Sequence, residues 1–157
     1  MIKVYAIGKN KDKALQALEK EYMKRLSAFN KVEVLEFKDE ANEKMDRENE
    51  ALLIKEKEGA RVLSKIKDSD HVILLDLHGK MWDSEGFAKE VDRWHAQGKD
   101  MVFVIAGSLG PSEALVKRAN VRWKLSDLTF THLMTRILML EQIYRAYMIN
   151  NHRNYHK

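Results

Sequence analysis

Val102-Phe103-Val104-Ile105-Ala106-Gly107-Ser108-Leu109-Gly110-Pro111 runs five apolar residues straight into a glycine loop closed by a proline. An unbroken apolar run suits a strand covered on both faces of a parallel sheet. Glycine lets the backbone that follows turn tightly or approach a ligand closely. Pro111, with a preset φ and no N–H, fits the first turn of a helix. The unit reads strand, glycine loop, helix. In open α/β sheets ligands lie in the crevice beyond the carboxyl ends of the strands.

Outward from this unit the chain repeats it. On the N-terminal side, Val72 to Leu77 is a second buried strand that stops at a turn, His78-Gly79-Lys80. Asp83 or Ser84 then caps a helix carrying Phe87, Val91 and Trp94 on one face, and Gly98 ends it. Further back, Asp46 caps a long charged helix running to about Lys67, with Leu52, Val62, Leu63 and Ile66 seeking the core. Before it come a polar loop over Lys38 to Met45 and a half-exposed strand over Val32 to Phe37. The chain opens with a strand, Ile2 to Ile7, that ends at Gly8. A basic loop over Lys9 to Lys13 leads into a helix marked by Leu15, Leu18, Tyr22 and Leu26. On the C-terminal side a short helix runs from Pro111 to about Ala119. A short strand over Val121 to Leu125, a polar loop and a helix from His132 to about Ile149 follow. Strands alternate with helices, which predicts a single α/β domain over all 157 residues, with a mainly parallel sheet and helices on both faces.

The last helix is apolar nearly all round. Leu133, Ile137, Leu140, Tyr144 and Tyr147 form one stripe, and Met134, Leu138, Met139, Ile143 and Met148 widen it. Such a helix is buried on more than one side. The sheet covers one side, and a second subunit is expected on the other.

Composition excludes several classes. With no cysteine there is no disulfide framework, thiolate metal site or thiol nucleophile, in keeping with a reducing cytoplasm. The apolar run at the N-terminus is too short for a signal peptide. No stretch is long and apolar enough to span a membrane. A net charge of +4 permits a polyanionic partner but fits an ordinary solvated surface equally well.

Four motifs can carry chemistry. The Ala106–Gly110 loop lacks the Gly-Lys-Ser/Thr of a P-loop and the three-glycine spacing of the dinucleotide fingerprint. Its backbone N–H groups can still hold a nucleotide-like ligand, and a tight turn with no ligand explains it too. His78-Gly79-Lys80 ends the neighbouring strand at the same end of a parallel sheet. Ser126 to His132 can present backbone groups to an adenine edge, or simply cap the last helix through Thr129 or Thr131. The tail, Asn150 to Lys157, joins cations that suit phosphate to aromatic rings that stack on an unpaired base. Read as structure alone, it is a frayed terminus. No Ser-His-Asp order, zinc spacing or paired-carboxylate site stands out.

Taken together these segments resemble a known family. They are Gly8-Lys9, Glu56-Lys57-Glu58-Gly59, Leu75-Asp76-Leu77-His78-Gly79-Lys80, Ser84-Glu85-Gly86 and Phe103 to Gly110. Leu125 to Phe130, Glu141 to Tyr147 and Tyr155-His156-Lys157 complete the set. The chain is similar over nearly its whole length to the RlmH family, SPOUT-class methyltransferases of a pseudouridine in bacterial large-subunit ribosomal RNA. The resemblance implies a C-terminal trefoil knot, a homodimer with its pocket beside the interface, and S-adenosylmethionine as methyl donor. It implies cofactor contacts at Leu75, Ala106, Gly107, Leu125, Ser126, Asp127, Leu128, Thr129 and Phe130. It places Arg145, Tyr155 and His156 at the RNA.

The expected activity is methylation of N3 of a pseudouridine in 23S ribosomal RNA, within an assembled ribosome in the cytoplasm. Arg145 holds phosphate or the polarised base, Tyr155 stacks on or orients the base, and His156 is the candidate proton acceptor. No metal is expected. The chain departs from the family at Ala106 and Leu109, where glycine and asparagine are usual. It departs again at Thr131, in place of proline, and at His152-Arg153-Asn154. These departures leave an alternative: a non-catalytic, knotted RNA-binding or ribosome-assembly protein. A phosphate-binding α/β enzyme is disfavoured by the missing P-loop lysine.

Overall fold

The computed structural model describes residues 1–40 and 48–157. Five parallel strands, β1 (Ile2–Ile7), β2 (Val32–Phe37), β3 (His71–Lys80), β4 (Met101–Ile105) and β5 (Val121–Trp123), lie in the order β2-β1-β4-β3-β5. β4 is central and every residue of it is buried, as its unbroken apolar run requires. Side chains alternate between two cores. Ile2, Val4, Ala6, Ile73, Leu75, Phe103 and Ile105 pack under α1 (Lys13–Leu26), α3 (Ser84–Ala96) and α5 (His132–Asn150). Tyr5, Ile7, Val72, Leu74, Val102 and Val104 pack under α2 (Glu48–Leu63) and α4 (Glu113–Arg118).

Three expectations change. His78-Gly79-Lys80 is not a turn, because β3 continues through it and Lys80 pairs with Trp123 beyond a break in register. Gly79 makes this possible: a Cβ there would stand 2.6 Å from the Arg122 carbonyl and 2.7 Å from the Trp123 nitrogen. α2 stops at Leu63 rather than near Lys67, where short bonds from Lys65 and Ile66 N–H tighten the chain into turns. Only its second half meets the core, so Val62 is fully buried while Leu52 is 53% exposed. The expected Asp46 cap lies outside the described residues, as does the Ala41 to Met45 part of the preceding loop. Pro111 stands just before α4, whose cap is Ser112 accepting from Leu115 N–H at 3.2 Å.

α5 packs within the chain on several sides. It is covered by its own chain, with α1 along one flank, α3 along the other and the sheet beneath. Leu133, Leu138, Tyr144 and Met148 on its remaining surface are half-buried. Of its large apolar residues, Met134 is left exposed.

At the opposite end of the sheet, the His71 imidazole packs on Trp94, and its Nε2 has no hydrogen-bond partner among the described residues. Burial, and then the positive charges of Lys99, Arg93 and Arg118, hold its pKa below the usual histidine value. The folded state thus binds fewer protons than the unfolded one, and stability falls as pH drops through and below about 6.5. His71→Phe is expected to flatten that part of the curve, as read by denaturant midpoints between pH 5 and 8.

Candidate functional site

The carboxyl ends of β3, β4 and β5 open into one crevice of about 540 Å³. That is the size of a small-molecule site, and it stands where open α/β sheets bind ligands. Leu75 to His78 form one wall, the Ala106–Pro111 loop a second, and Leu125, Ser126, Leu128, Thr129 and Phe130 a third. All the expected cofactor residues except Asp127 therefore line one cavity. Asp127 turns outward and pairs with Lys124 at 2.6 Å.

The loop built on Gly107 is tight. Gly107 O accepts from Gly110 N–H at 3.0 Å, and Gly110 sits at φ +91°. A Cβ at Gly107 would stand 2.7 Å from Glu58 Oε1, so α2 supports this loop from behind. Burial pushes the Glu58 carboxyl above its usual range. Ala106 has no positive φ, so its extra methyl brings no backbone strain and the departure from glycine is tolerated.

Under the crevice, the buried Asp76 carboxylate accepts from His78 N–H at 2.9 Å and pairs with Arg122 at 2.7 Å. Burial opposes its charge, but these partners outweigh burial and hold its carboxyl below the usual range. The pair ties the end of β3 to β5. Only the parallel pairing of β3 with β5 brings these two residues together. Thr131, where proline is usual, caps α5 by accepting from Met134 N–H at 3.4 Å.

Arg145, Tyr155 and His156 come together, but outside the crevice lining. Their organiser is Glu141, a residue that sequence reasoning did not single out. Its Oε1 accepts from Arg145 at 2.6 and 3.1 Å and from the Tyr155 hydroxyl at 3.1 Å. The i, i+4 spacing of Glu141 and Arg145 was the available signal. Arg145 also lies over the Tyr155 ring, 4.8 Å from its centre, and meets His156 Nδ1 at 3.1 Å. Guanidinium only donates, so His156 Nδ1 accepts and the ring proton sits on Nε2, which faces Glu85 at 3.9 Å. Burial, then Glu141, push the Tyr155 hydroxyl up to about 12, so it stays a neutral donor.

A second cavity of about 400 Å³ lies between this cluster and the crevice. It shares Trp123, Leu125, Ser126 and Phe130 with the crevice. It also includes Gln142, which accepts from Ser84 at 2.9 Å and donates to Glu141 at 2.9 Å.

The tail reaches the cluster by reversing direction at His152, whose φ is +57°. His152 N–H bonds Ile149 O and Arg153 N–H bonds Met148 O, closing α5 as a glycine usually does. A side chain is strained there. His152→Gly is expected to raise stability by about 0.5–1 kcal/mol, read as a higher melting temperature.

Comparison with known proteins agrees with this geometry. A family model described as "Predicted SPOUT methyltransferase" matches residues 1–156. Two similar proteins carry the name ribosomal RNA large subunit methyltransferase H. The one from Latilactobacillus sakei subsp. sakei (strain 23K) is 47% identical over 99% of both chains. The one from Bacillus cereus (strain ATCC 10987 / NRS 248) is 48% identical over the same share. A solved structure of "a probable methylase family protein from Haemophilus influenzae Rd KW20" shares the fold at 10% identity and a TM-score of 0.55. It covers 96% of this chain and 66% of its own. A parallel sheet in this order, a crevice at its carboxyl end and a match over almost every residue make the chain a member of the SPOUT methyltransferase family.

Proposed function

We propose that this protein methylates N3 of a pseudouridine in large-subunit (23S) ribosomal RNA, taking the methyl group from S-adenosylmethionine. The reading further places it in the cytoplasm, acting as a homodimer on an assembled ribosome, with the family's knot in its C-terminal part. The observation that carries the reading is the convergence of the three loops from β3, β4 and β5 on one crevice. The residues present fit the cofactor. Leu75, Ile105, Leu125 and Phe130 offer apolar surface to an adenine ring. The Gly107 loop presents backbone where Glu58 leaves no room for a side chain. When bound, the cofactor supplies a methyl group already activated on a sulfonium.

The protein's remaining work is positioning and proton removal. Tyr155, held neutral, orients the base as a donor or stacks on it. Arg145 exchanges its contact with His156 for the polarised base or a phosphate. That exchange frees Nδ1 of His156 to take the N3 proton. The dimer is supported by apolar side chains exposed around the crevice mouth, Leu77 at 68%, Leu128 at 71% and Phe130 at 37%.

Mass mapping of 23S ribosomal RNA from cells with and without this protein tests the reading. One methyl mass on a pseudouridine-bearing fragment should disappear with the protein. An unchanged map would overturn it. A stable monomer in sedimentation at micromolar concentration would remove the dimer alone.

A further inference from the structure

Beside the crevice, at the carboxyl end of β1, lies a loop fixed by a largely buried ionic cluster. Arg136 of α5 is 3% exposed. It pairs with Glu36 at 2.8 Å and Glu19 at 3.4 Å, and donates to Gly8 O at 3.3 Å. Asn10, also buried, donates its backbone N–H to Glu36 at 2.7 Å and its amide to Glu19 at 3.3 Å. Asn10 accepts in turn, through its carbonyl from Gln16 at 2.5 Å and through Oδ1 from Asp12 N–H at 3.1 Å. Gly8, at φ +101°, makes the turn into the loop. Burying Arg136 and Glu19 is costly, and the cost is offset only where every partner, the more exposed Glu36 included, is in place. Here three elements, α1, β2 and α5, hold one short loop in one shape.

The side chains this scaffold displays are Lys9, Lys11 and Lys13, all exposed, alternating with the inward-facing Asn10 and the helix-capping Asp12. Among the described residues none of the three forms an ion pair. β1 is the immediate neighbour of β4 in the sheet, so these cations stand next to the Gly107 loop at the same end of the strands. Fixed lysines at regular spacing suit a polyanion whose charges also recur at fixed spacing.

We infer that the Lys9–Lys13 loop is a phosphate-backbone contact for RNA, orienting the strand across the crevice mouth. The inference rests on the ribosomal RNA reading above and adds a surface to it. Phosphate contacts position a nucleic acid without reading its sequence, and each contact releases counterions. The logarithm of affinity therefore falls with the logarithm of salt by about 0.7–0.9 per contact.

The test compares two variants of equal charge. One carries Lys9→Gln, Lys11→Gln and Lys13→Gln. The other carries Lys65→Gln, Lys67→Gln and Lys99→Gln, exposed lysines at the opposite end of the sheet. Fluorescently labelled chain is titrated with ribosomes lacking the modification, and with a large-subunit ribosomal RNA transcript, at several salt concentrations. Calorimetry with S-adenosylhomocysteine and thermal melts check that both variants keep the pocket and the fold. The loop variant should bind at least tenfold more weakly at low salt, with a salt slope shallower by about 2. The opposite-end variant should follow the unmodified chain. Equal behaviour of the two variants, or an unchanged slope in the loop variant, would overturn the assignment of the loop while leaving the methyltransferase reading intact. A loss seen with ribosomes but not with the transcript would put a ribosomal protein opposite the lysines and overturn it too. No salt-dependent binding by the unmodified chain would instead remove the ribosomal RNA reading itself.

Discussion

A chain ending at Asn154 should fold, bind S-adenosylhomocysteine as the full protein does, and lose methyl transfer by about 10²–10⁴-fold. Tyr155 and His156 touch Glu141, Arg145 and Glu85, and neither lines the crevice. Neither belongs to a buried cluster; their removal uncovers only the edge of Tyr144, on which the Tyr155 ring packs at 5.0 Å. Side-chain bonds at a half-exposed surface contribute about 1 kcal/mol each, too little to unfold a domain of this size. The transfer step is different, because the ring proposed to orient the base and the group proposed to take its proton both leave. His156→Ala alone separates these contributions, since the base is still oriented by Tyr155. Single-turnover methyl incorporation at saturating cofactor is the measurement. Full activity in the truncated chain would show that these residues only close the C-terminus.

Gly107→Val should weaken S-adenosylhomocysteine binding by about ten- to a hundredfold. The new side chain would meet the Glu58 carboxylate, whose Oε1 stands 2.7 Å from the Cβ position. Glu58 is 4% exposed and also accepts from Glu40 N–H at 3.0 Å, so it does not swing aside freely. The loop must move into the crevice instead. Overpacking of this kind costs about 1–3 kcal/mol, and each 1.4 kcal/mol is tenfold in affinity. Calorimetric titration gives the constant. A Gly107→Val chain that binds the product with unchanged affinity would separate this loop from the cofactor.

The sheet was legible because burial writes itself as apolar runs. Met101–Ile105 and Val72–Leu77 could hardly be anything but inner strands. β3 outran its apolar run because its last residues, His78 to Lys80, leave the core while the backbone keeps pairing with Trp123. No side-chain pattern marks that; only Gly79 does, through the space it leaves for Arg122. The crevice loops were legible as glycine and polar residues after strands, together with a family resemblance. The ionic cluster under the lysine loop was not. Glu19, Glu36 and Arg136 sit on amphipathic elements among many solvated charges, and pairing at separations of 100 and 117 residues leaves no local trace. The tail residues were legible by resemblance, but their docking depends on a left-handed residue, His152, whose conformation a histidine does not advertise.

α5 holds both Arg136 and Arg145 within one unbroken helix. Arg136 fixes the lysine loop, and Arg145 gathers the tail. Nine residues at a rise of 1.5 Å set the two arginines about 14 Å apart along the axis. α1, α3 and the sheet clamp the helix between them, so this separation does not adjust to the ligand. On the roles proposed above, the helix would act as a gauge bar, with the phosphate stop at one mark and the chemical stop at the other. Its length in residues would then dictate how much RNA chain must lie between the first gripped phosphate and the base presented to the tail. A one-residue insertion between Ile137 and Tyr144 would turn the two marks by about 100° relative to each other. Grip and chemistry would each survive, with no single strand able to satisfy both.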